Sequence, residues 1–164
     1  IATLYDDKAE TLVDNMSART YITLHADDDK YGFLKGFNFT TNFGLDYYSA
    51  RGAEYANPYN GNAVGVSGRL TKESSRMLSY TFNQLLTYNR TFNDHSFDIL
   101  IGHEYYALKT NYLSAQKTGF PFGGLYELAA ASTLTDGTSY EDNYSIDSYL
   151  SRLNYNYKEK YYFL

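Results

Sequence analysis

Cysteine and tryptophan are absent from the 164 residues, proline occurs only twice, and there is no run of 18 consecutive apolar residues. Without cysteine there is neither a disulfide framework nor a thiolate metal site. Without a long apolar run there is no membrane-spanning helix. Basic clusters are missing too, and the formal charge of -5 argues against a nucleic-acid partner. What remains is unusually aromatic: 20 tyrosines and 10 phenylalanines. Tyrosine joins an apolar ring to a polar tip and suits boundaries between wet and dry surroundings. The first residue is Ile1, and the last four, Tyr161-Tyr-Phe-Leu164, read as the middle of a strand. The expectation is one partial domain, residues 1–164, cut from a longer protein.

Hydrophobicity alternates with period two, the signature of strands. From Phe37 to Tyr47, Phe37, Phe39, Phe43, Leu45 and Tyr47 fall on one face and Asn38, Thr40, Asn42, Gly44 and Asp46 on the other. From Leu78 to Thr91, Leu78, Tyr80, Phe82, Leu86 and Tyr88 oppose Ser79, Thr81, Asn83, Thr87 and Asn89. A partner strand from Ser96 to about Lys109 sets Phe97, Ile99, Ile101 and Tyr105 against Asp98, Gly102 and Glu104. Further strands are predicted from about Ser145 to Tyr157, from about Arg19 to Ala26, and from Lys160 onward. Short helices are expected at Asp6–Met16 and Tyr126–Ala131. The links alternate in length: turns at Asn93–Ser96, at Lys158–Lys160 and ending at Gly36, against glycine-bearing excursions over Ser49–Met77 and Thr110–Tyr144.

Such a pattern has two physical readings. In a secreted β-sandwich the apolar face packs on a second sheet, and exposed tyrosines grip glycans. In a membrane β-barrel the apolar face meets lipid and the polar face lines a wet lumen. Strands of about 14 residues exceed the usual 5–6 of soluble sheets, while a tilted strand needs about 9–11 to cross lipid. Aromatic residues gather toward the predicted strand ends, as interfacial girdles require. Alternating turns and long loops match a sheet with one periplasmic and one external edge. The expectation is an all-β, antiparallel transmembrane β-barrel segment of about six strands, with short periplasmic turns and long extracellular loops.

Three motifs carry a family resemblance. Ser148-Tyr-Leu-Ser-Arg-Leu-Asn-Tyr-Asn-Tyr-Lys-Glu-Lys-Tyr161 resembles a hairpin of the SusC/RagA-like TonB-dependent outer-membrane transporters. Leu86-Thr-Tyr-Asn-Arg-Thr-Phe-Asn-Asp-His-Ser96, followed by Gly102-His-Glu-Tyr105, is similar to an earlier hairpin of that family, and Leu34-Lys-Gly-Phe-Asn-Phe-Thr-Thr-Asn-Phe-Gly-Leu-Asp-Tyr47 fits in the expected order. Asn57-Pro-Tyr-Asn60 falls where the family has an external loop. The resemblance implies a barrel of about 22 strands around a plug. It also implies a bacterial outer-membrane location, import of glycans or peptides, a SusD-like lipoprotein partner, the TonB complex as energy source, and no cofactor. Neither a plug nor a TonB-box segment is present in these residues.

Catalysis finds little support. Asp98 and Glu104 share a face six residues apart, about 20 Å along a strand and too far for a carboxylate pair. No Gly-x-Ser-x-Gly nucleophile motif occurs. His25, His95 and His103 are scattered, and Asp27-Asp-Asp29 lacks the spacing of a calcium loop, so no metal site is expected. The candidates for contact with a ligand or partner are the aromatics of the long excursions: Tyr55, Tyr59, Phe120, Phe122 and Tyr126. The opposing reading is that these rings pin the loops to one another. On the lumen side the polar candidates are Asn42, Asp98, Glu104 and Arg152.

Overall fold

The computed structural model describes residues 6–163 and, within them, every side chain except those at 29 and 31. Six strands form a single antiparallel sheet in sequence order. They are β1 (Lys8–Ala26), β2 (Phe37–Ala56), β3 (Arg69–Phe92), β4 (His95–Thr118), β5 (Thr133–Tyr157) and β6 (Tyr161–Phe163). Every neighbour in the sheet is a neighbour in sequence, so each pairing closes through one local link. The sheet is open in these residues, and no second sheet faces it among them. The sandwich reading required that second layer. Leu164 lies outside the described residues.

Two expectations need correction. The helix predicted over Asp6–Met16 is instead the first half of β1 from Lys8 onward. An isolated short helix is marginal in water, and pairing with β2 fixes the extended form; the Arg51 guanidinium of β2 donates to Asp14 Oδ2 at 3.0 Å. Every strand but β6 is also longer than its apolar stripe. The predicted excursions over Ser49–Met77 and Thr110–Tyr144 shrink to residues 57–68 and 119–132, because both strands of each hairpin run on past the point where the stripe ends. The link ending at Gly36 covers residues 27–36 and holds a 3₁₀ segment, Asp29–Leu34. Tyr126–Ala131 contributes one 3₁₀ turn, Leu128–Ala130.

Turn chemistry sets the register. Between β3 and β4 only Asn93 and Asp94 intervene, and Asn93 adopts φ 51, the left-handed region that short hairpins demand. Gly36 has φ +92, and its carbonyl accepts the Asn89 N–H at 2.9 Å. A Cβ at Gly36 would collide with the Asn89 carbonyl. That position requires glycine for both reasons.

The chain divides into two compact units. The first, here the banded unit, comprises residues 17–45, 79–108 and 144–163. One face is polar: His25 Nδ1 lies 2.6 Å from Asn38 Oδ1, the Asn83 amide donates to Glu104 at 3.3 Å, and Arg152 donates to Asp98 at 3.4 Å. The other face carries cross-strand aromatic pairs, Phe37–Tyr88 at 4.3 Å, Tyr80–Tyr105 at 5.9 Å and Phe97–Tyr155 at 5.1 Å. Between them Phe39, Phe43, Phe82, Ile99, Ile101 and Leu153 make an apolar band. It lacks a covering layer: Phe43 is 41% exposed and Ile101 53%. A face this apolar, left open over several strands, calls for a surrounding other than water.

The second, the loop unit, comprises residues 6–16, 46–78 and 109–143. Along each strand the positions that continue the apolar stripe here become charged. Phe43, Leu45 and Tyr47 give way to Arg51, Phe82 and Tyr80 to Arg76 and Lys72, and Ile101 and Tyr105 to Lys109. Three of these four cations, Arg51, Lys72 and Lys109, pair with Asp14, Glu127 and Glu141 at 3.0, 2.6 and 2.9 Å. The apolar band is therefore bounded, and the strands outrun it.

Replacing Gly36 with alanine is expected to destabilise the full-length protein by more than the ~1 kcal/mol typical of an unstrained site. Gly65→Ala, at a position where an added Cβ meets nothing within 4 Å, is expected to be near neutral. Urea unfolding midpoints of the two variants in lipid vesicles check the contrast.

Candidate functional site

The only cluster of fully buried apolar side chains among the described residues lies in the loop unit, where residues 57–68 and 119–132 meet the strand ends that lead into them. Tyr55, Leu70, Phe120 and Ala131 form it, with Leu125, Leu128 and Ala130 against them. Tyr55 ends β2 rather than lying in a loop, and it is 2% exposed; Phe120 is 4% exposed. The two rings meet edge to face at 5.6 Å, and Tyr126 meets Tyr55 in the same manner at 4.9 Å. Backbone bonds join the loops directly. Gly119 N–H donates to Val66 O at 3.0 Å and Phe120 N–H to Ser67 O at 2.7 Å.

Tyrosine hydroxyls finish the connection. The Gly124 N–H donates to Tyr55 Oη at 3.1 Å, and the Gly123 N–H donates to Tyr59 Oη at 3.0 Å. Gly123 is needed for the second contact, since a Cβ there would come within 2.7 Å of the Tyr59 ring. Asn57, 2% exposed, organises the first loop. Its Oδ1 accepts the N–H groups of Tyr59 at 2.9 Å and Asn60 at 2.8 Å, the local turn that asparagine favours. Its own N–H and Nδ2 both donate to Asp7 Oδ1, at 2.8 and 2.7 Å. Asn57 thus satisfies two loop donors and ties the loop to the segment before β1.

The five loop aromatics therefore divide. Tyr55 and Phe120 sit inside the cluster and pin the loops. Tyr59, Phe122 and Tyr126 leave ring area in solvent, and Val64 and Val66 of the same loop as Tyr59 leave aliphatic surface exposed. Lys8 stands over the Tyr126 ring at 5.4 Å. The result is a fixed apolar surface carried by two interlocked loops. Association with a fixed surface loses less conformational freedom than association with a mobile one.

On the polar face of the banded unit the four lumen candidates occupy one side. Arg152 and Asp98 pair, Glu104 accepts from Asn83, and Asn42 joins Asn83, Thr81, Tyr21 and Arg19 around a shallow recess. Gly44 makes the seat for Arg19, whose Nη1 donates to Leu45 O at 3.0 Å; a Cβ at Gly44 would lie 3.1 Å from Arg19 Cδ and Nε. The sequence reading passed over Arg19, although an arginine opposite a glycine in a predicted strand pair was the available signal. The histidines stay apart: His25 against Asn38, His95 against Tyr155, His103 against Asp147. Among the described residues no three His, Cys, Asp or Glu side chains gather to hold a metal ion.

No family model matches the sequence. A curated protein from Formosa agariphila, TonB-dependent receptor P3, is 26% identical over 135 residues, which is 81% of this chain and 14% of that protein. Among solved structures, the RagAB peptide transporter superposes with a TM-score of 0.77 at 19% identity, covering 96% of this chain and 17% of that one. The RagAB peptide importer in its "closed-closed" state gives 0.76 at 20% identity over the same shares. The chain spans about a sixth of the length of these relatives.

Replacing Asn57 with alanine is expected to free two loop N–H groups and to cost the loop about 1–3 kcal/mol. Hydrogen exchange over residues 57–68 should then quicken by about tenfold or more, whereas Phe122→Ala should leave it unchanged.

Proposed function

We propose, from the premise that this chain is a barrel segment of a SusC/RagA-like TonB-dependent transporter, that the whole protein imports oligomeric nutrients across the bacterial outer membrane. The observation that carries the reading is the bounded apolar band: Phe39, Phe43, Phe82, Ile101 and Leu153 share one uncovered face of a sheet whose opposite face is polar. In lipid a sheet satisfies its backbone only by closing on itself, and six open strands supply part of such a wall. Within the banded unit β3 contributes residues 79–92, 14 residues, more than the about 9–11 that a tilted strand needs to cross lipid.

In this reading the transporter performs no covalent chemistry. Tyr59, Phe122 and Tyr126 present the contact surface at the outer mouth, either to the nutrient or to a SusD-like lipoprotein. Asn42, Asp98, Glu104 and Arg152 line the passage. Energy enters from the TonB complex through parts of the polypeptide beyond these residues. The substrate is a glycan or a peptide; aromatic rings and amide side chains serve both.

Two arms test this in the full-length protein. Arginine at Ile101 is expected to lower stability in vesicles by about 2–4 kcal/mol, whereas arginine at Asn83 on the polar face is expected to have less than half that effect. Combined alanine substitution of Tyr59, Phe122 and Tyr126 should leave the amount of folded barrel unchanged while growth on the imported oligomer falls. Equal destabilisation by the two arginines would refute the lipid-facing band. Unaltered growth would refute the loop surface.

A further inference from the structure

At the turn edge of the banded unit one link is out of proportion. Asn93-Asp94 and Lys158–Lys160 close their hairpins with a few residues, whereas residues 27–36 intervene between β1 and β2. The surplus holds a 3₁₀ segment broken at Gly32, which has φ 56 and ψ -116, a conformation open to glycine. Past that kink the link presents Phe33, 75% exposed, and Leu34, 43% exposed.

The link leans to one side of the sheet. Tyr88 and Arg90 alternate in step with Phe82 and Leu86, so they belong to the apolar row of β3. Tyr88 Oη donates to Phe33 O at 3.4 Å, and Arg90 Nη1 donates to Gly32 O at 2.6 Å. The Tyr88 ring packs on Phe37, where β2 begins, and the Arg90 guanidinium lies over the Phe92 ring at 4.3 Å. The link is therefore fastened to the apolar face. Its own backbone is largely satisfied from within: Lys35 N–H donates to Gly32 O at 3.3 Å and Gly36 N–H to Ala26 O at 2.8 Å. Internal satisfaction is what a segment needs where water thins out. Charge is balanced locally as well, with Lys30 on Asp28 at 3.2 Å.

We infer that Phe33 and Leu34 dock the link against the membrane itself, at the boundary between headgroups and acyl chains of the leaflet on the turn edge. The two side chains enter the apolar side of that boundary, as interfacial anchors do. Arg90 stands at the headgroups, where further N–H groups of its planar fork serve phosphate oxygens. The occupant follows from continuity. Tyr88 and Arg90 tether the link to the same face whose band meets lipid. A fully solvated connection would keep a phenylalanine and a leucine in water and gain nothing from the extra length. The inference rests on the lipid-facing reading of the band and extends it to a loop.

The test uses the full-length protein in phosphatidylcholine vesicles, with the fluorophore bimane on a single cysteine at Leu34→Cys or, as the band control, at Phe82→Cys. Lipids carrying a doxyl quencher either near the headgroup or deep in the acyl chain report depth. The label at position 34 should be quenched about twofold or more better by the shallow quencher, and the label at position 82 better by the deep one. Adding Phe33→Asn, an exposed substitution, should cut quenching at position 34 by about half or more, with heat-dependent gel mobility showing that the barrel still folds. Quenching at position 82 without any at position 34 would overturn the inference and leave the band intact. Absence of quenching at both would overturn the lipid-facing reading and the inference with it. Quenching at position 34 that ignores Phe33→Asn would also overturn it.

Discussion

The backbone of a sheet has to hydrogen-bond to itself wherever water is excluded, and that constraint governs the rest of this structure. It leaves the side chains free to differ on the two faces, because a strand sends alternate residues to opposite sides. One face can then be wholly apolar and the other wholly polar at no cost to the ladder. Phe39, Phe43, Phe82 and Ile101 sit on the first and Asn42, Asn83, Asp98 and Glu104 on the second, in a sheet without internal crossovers. Most cross-strand pairs keep to this division, aromatic with aromatic and carboxylate with amide or guanidinium; the exception is His103–Asp147, 2.9 Å apart beside Tyr149, in step with Ile101 and Tyr105 on the otherwise apolar face.

The band has an end, and that end explains the strand lengths. A ladder need not stop where lipid stops. Past Tyr47 in β2, Leu78 in β3 and Ala107 in β4 the outward positions turn polar or charged, and ion pairs such as Arg51–Asp14 and Lys109–Glu141 replace ring contacts. Exposed pairs of this kind add little stability individually. They keep the same alternate positions polar within the loop unit. The loops then build a small core of their own around Tyr55, Leu70 and Phe120, the buried centre that the banded unit lacks.

How much of this was legible depended on which signal each stretch retained. Period two survives wherever one face is apolar, so the start of β2 at Phe37 and the turn at Asn93-Asp94 were readable to within a residue or two, while the far ends of β2, β3 and β4 each lie about nine residues beyond the legible pattern. It vanishes in Ser49-Ala-Arg-Gly-Ala-Glu54, where both faces are small or charged, and the same ladder reads there as loop. Leu12, Val13 and Met16 mimic helical spacing, yet each is exposed on a strand whose conformation is set by its neighbour rather than by its own propensity. Tyr55 and Tyr59 look alike in sequence, both set among small and turn-forming residues, although the first lies at the end of β2 and the second in the loop after it. Only the fold shows that the first is buried beneath Phe120 while the second keeps an exposed ring. Asn57 was visible as part of a turn motif, but its double bond to Asp7 spans 50 residues and has no local signature.

The account is tested most directly by accessibility along β3. Spin labels at single cysteines introduced from Leu78 to Tyr88 in the full-length protein, reconstituted in lipid, report collisions with oxygen, which partitions into lipid, and with a water-soluble nickel chelate. Even positions, Tyr80, Phe82 and Leu86 among them, should favour oxygen, and odd positions such as Thr81, Asn83 and Thr87 should favour the chelate, in strict alternation. Chelate access on both faces, or oxygen preference on the odd one, would contradict a lipid-facing band.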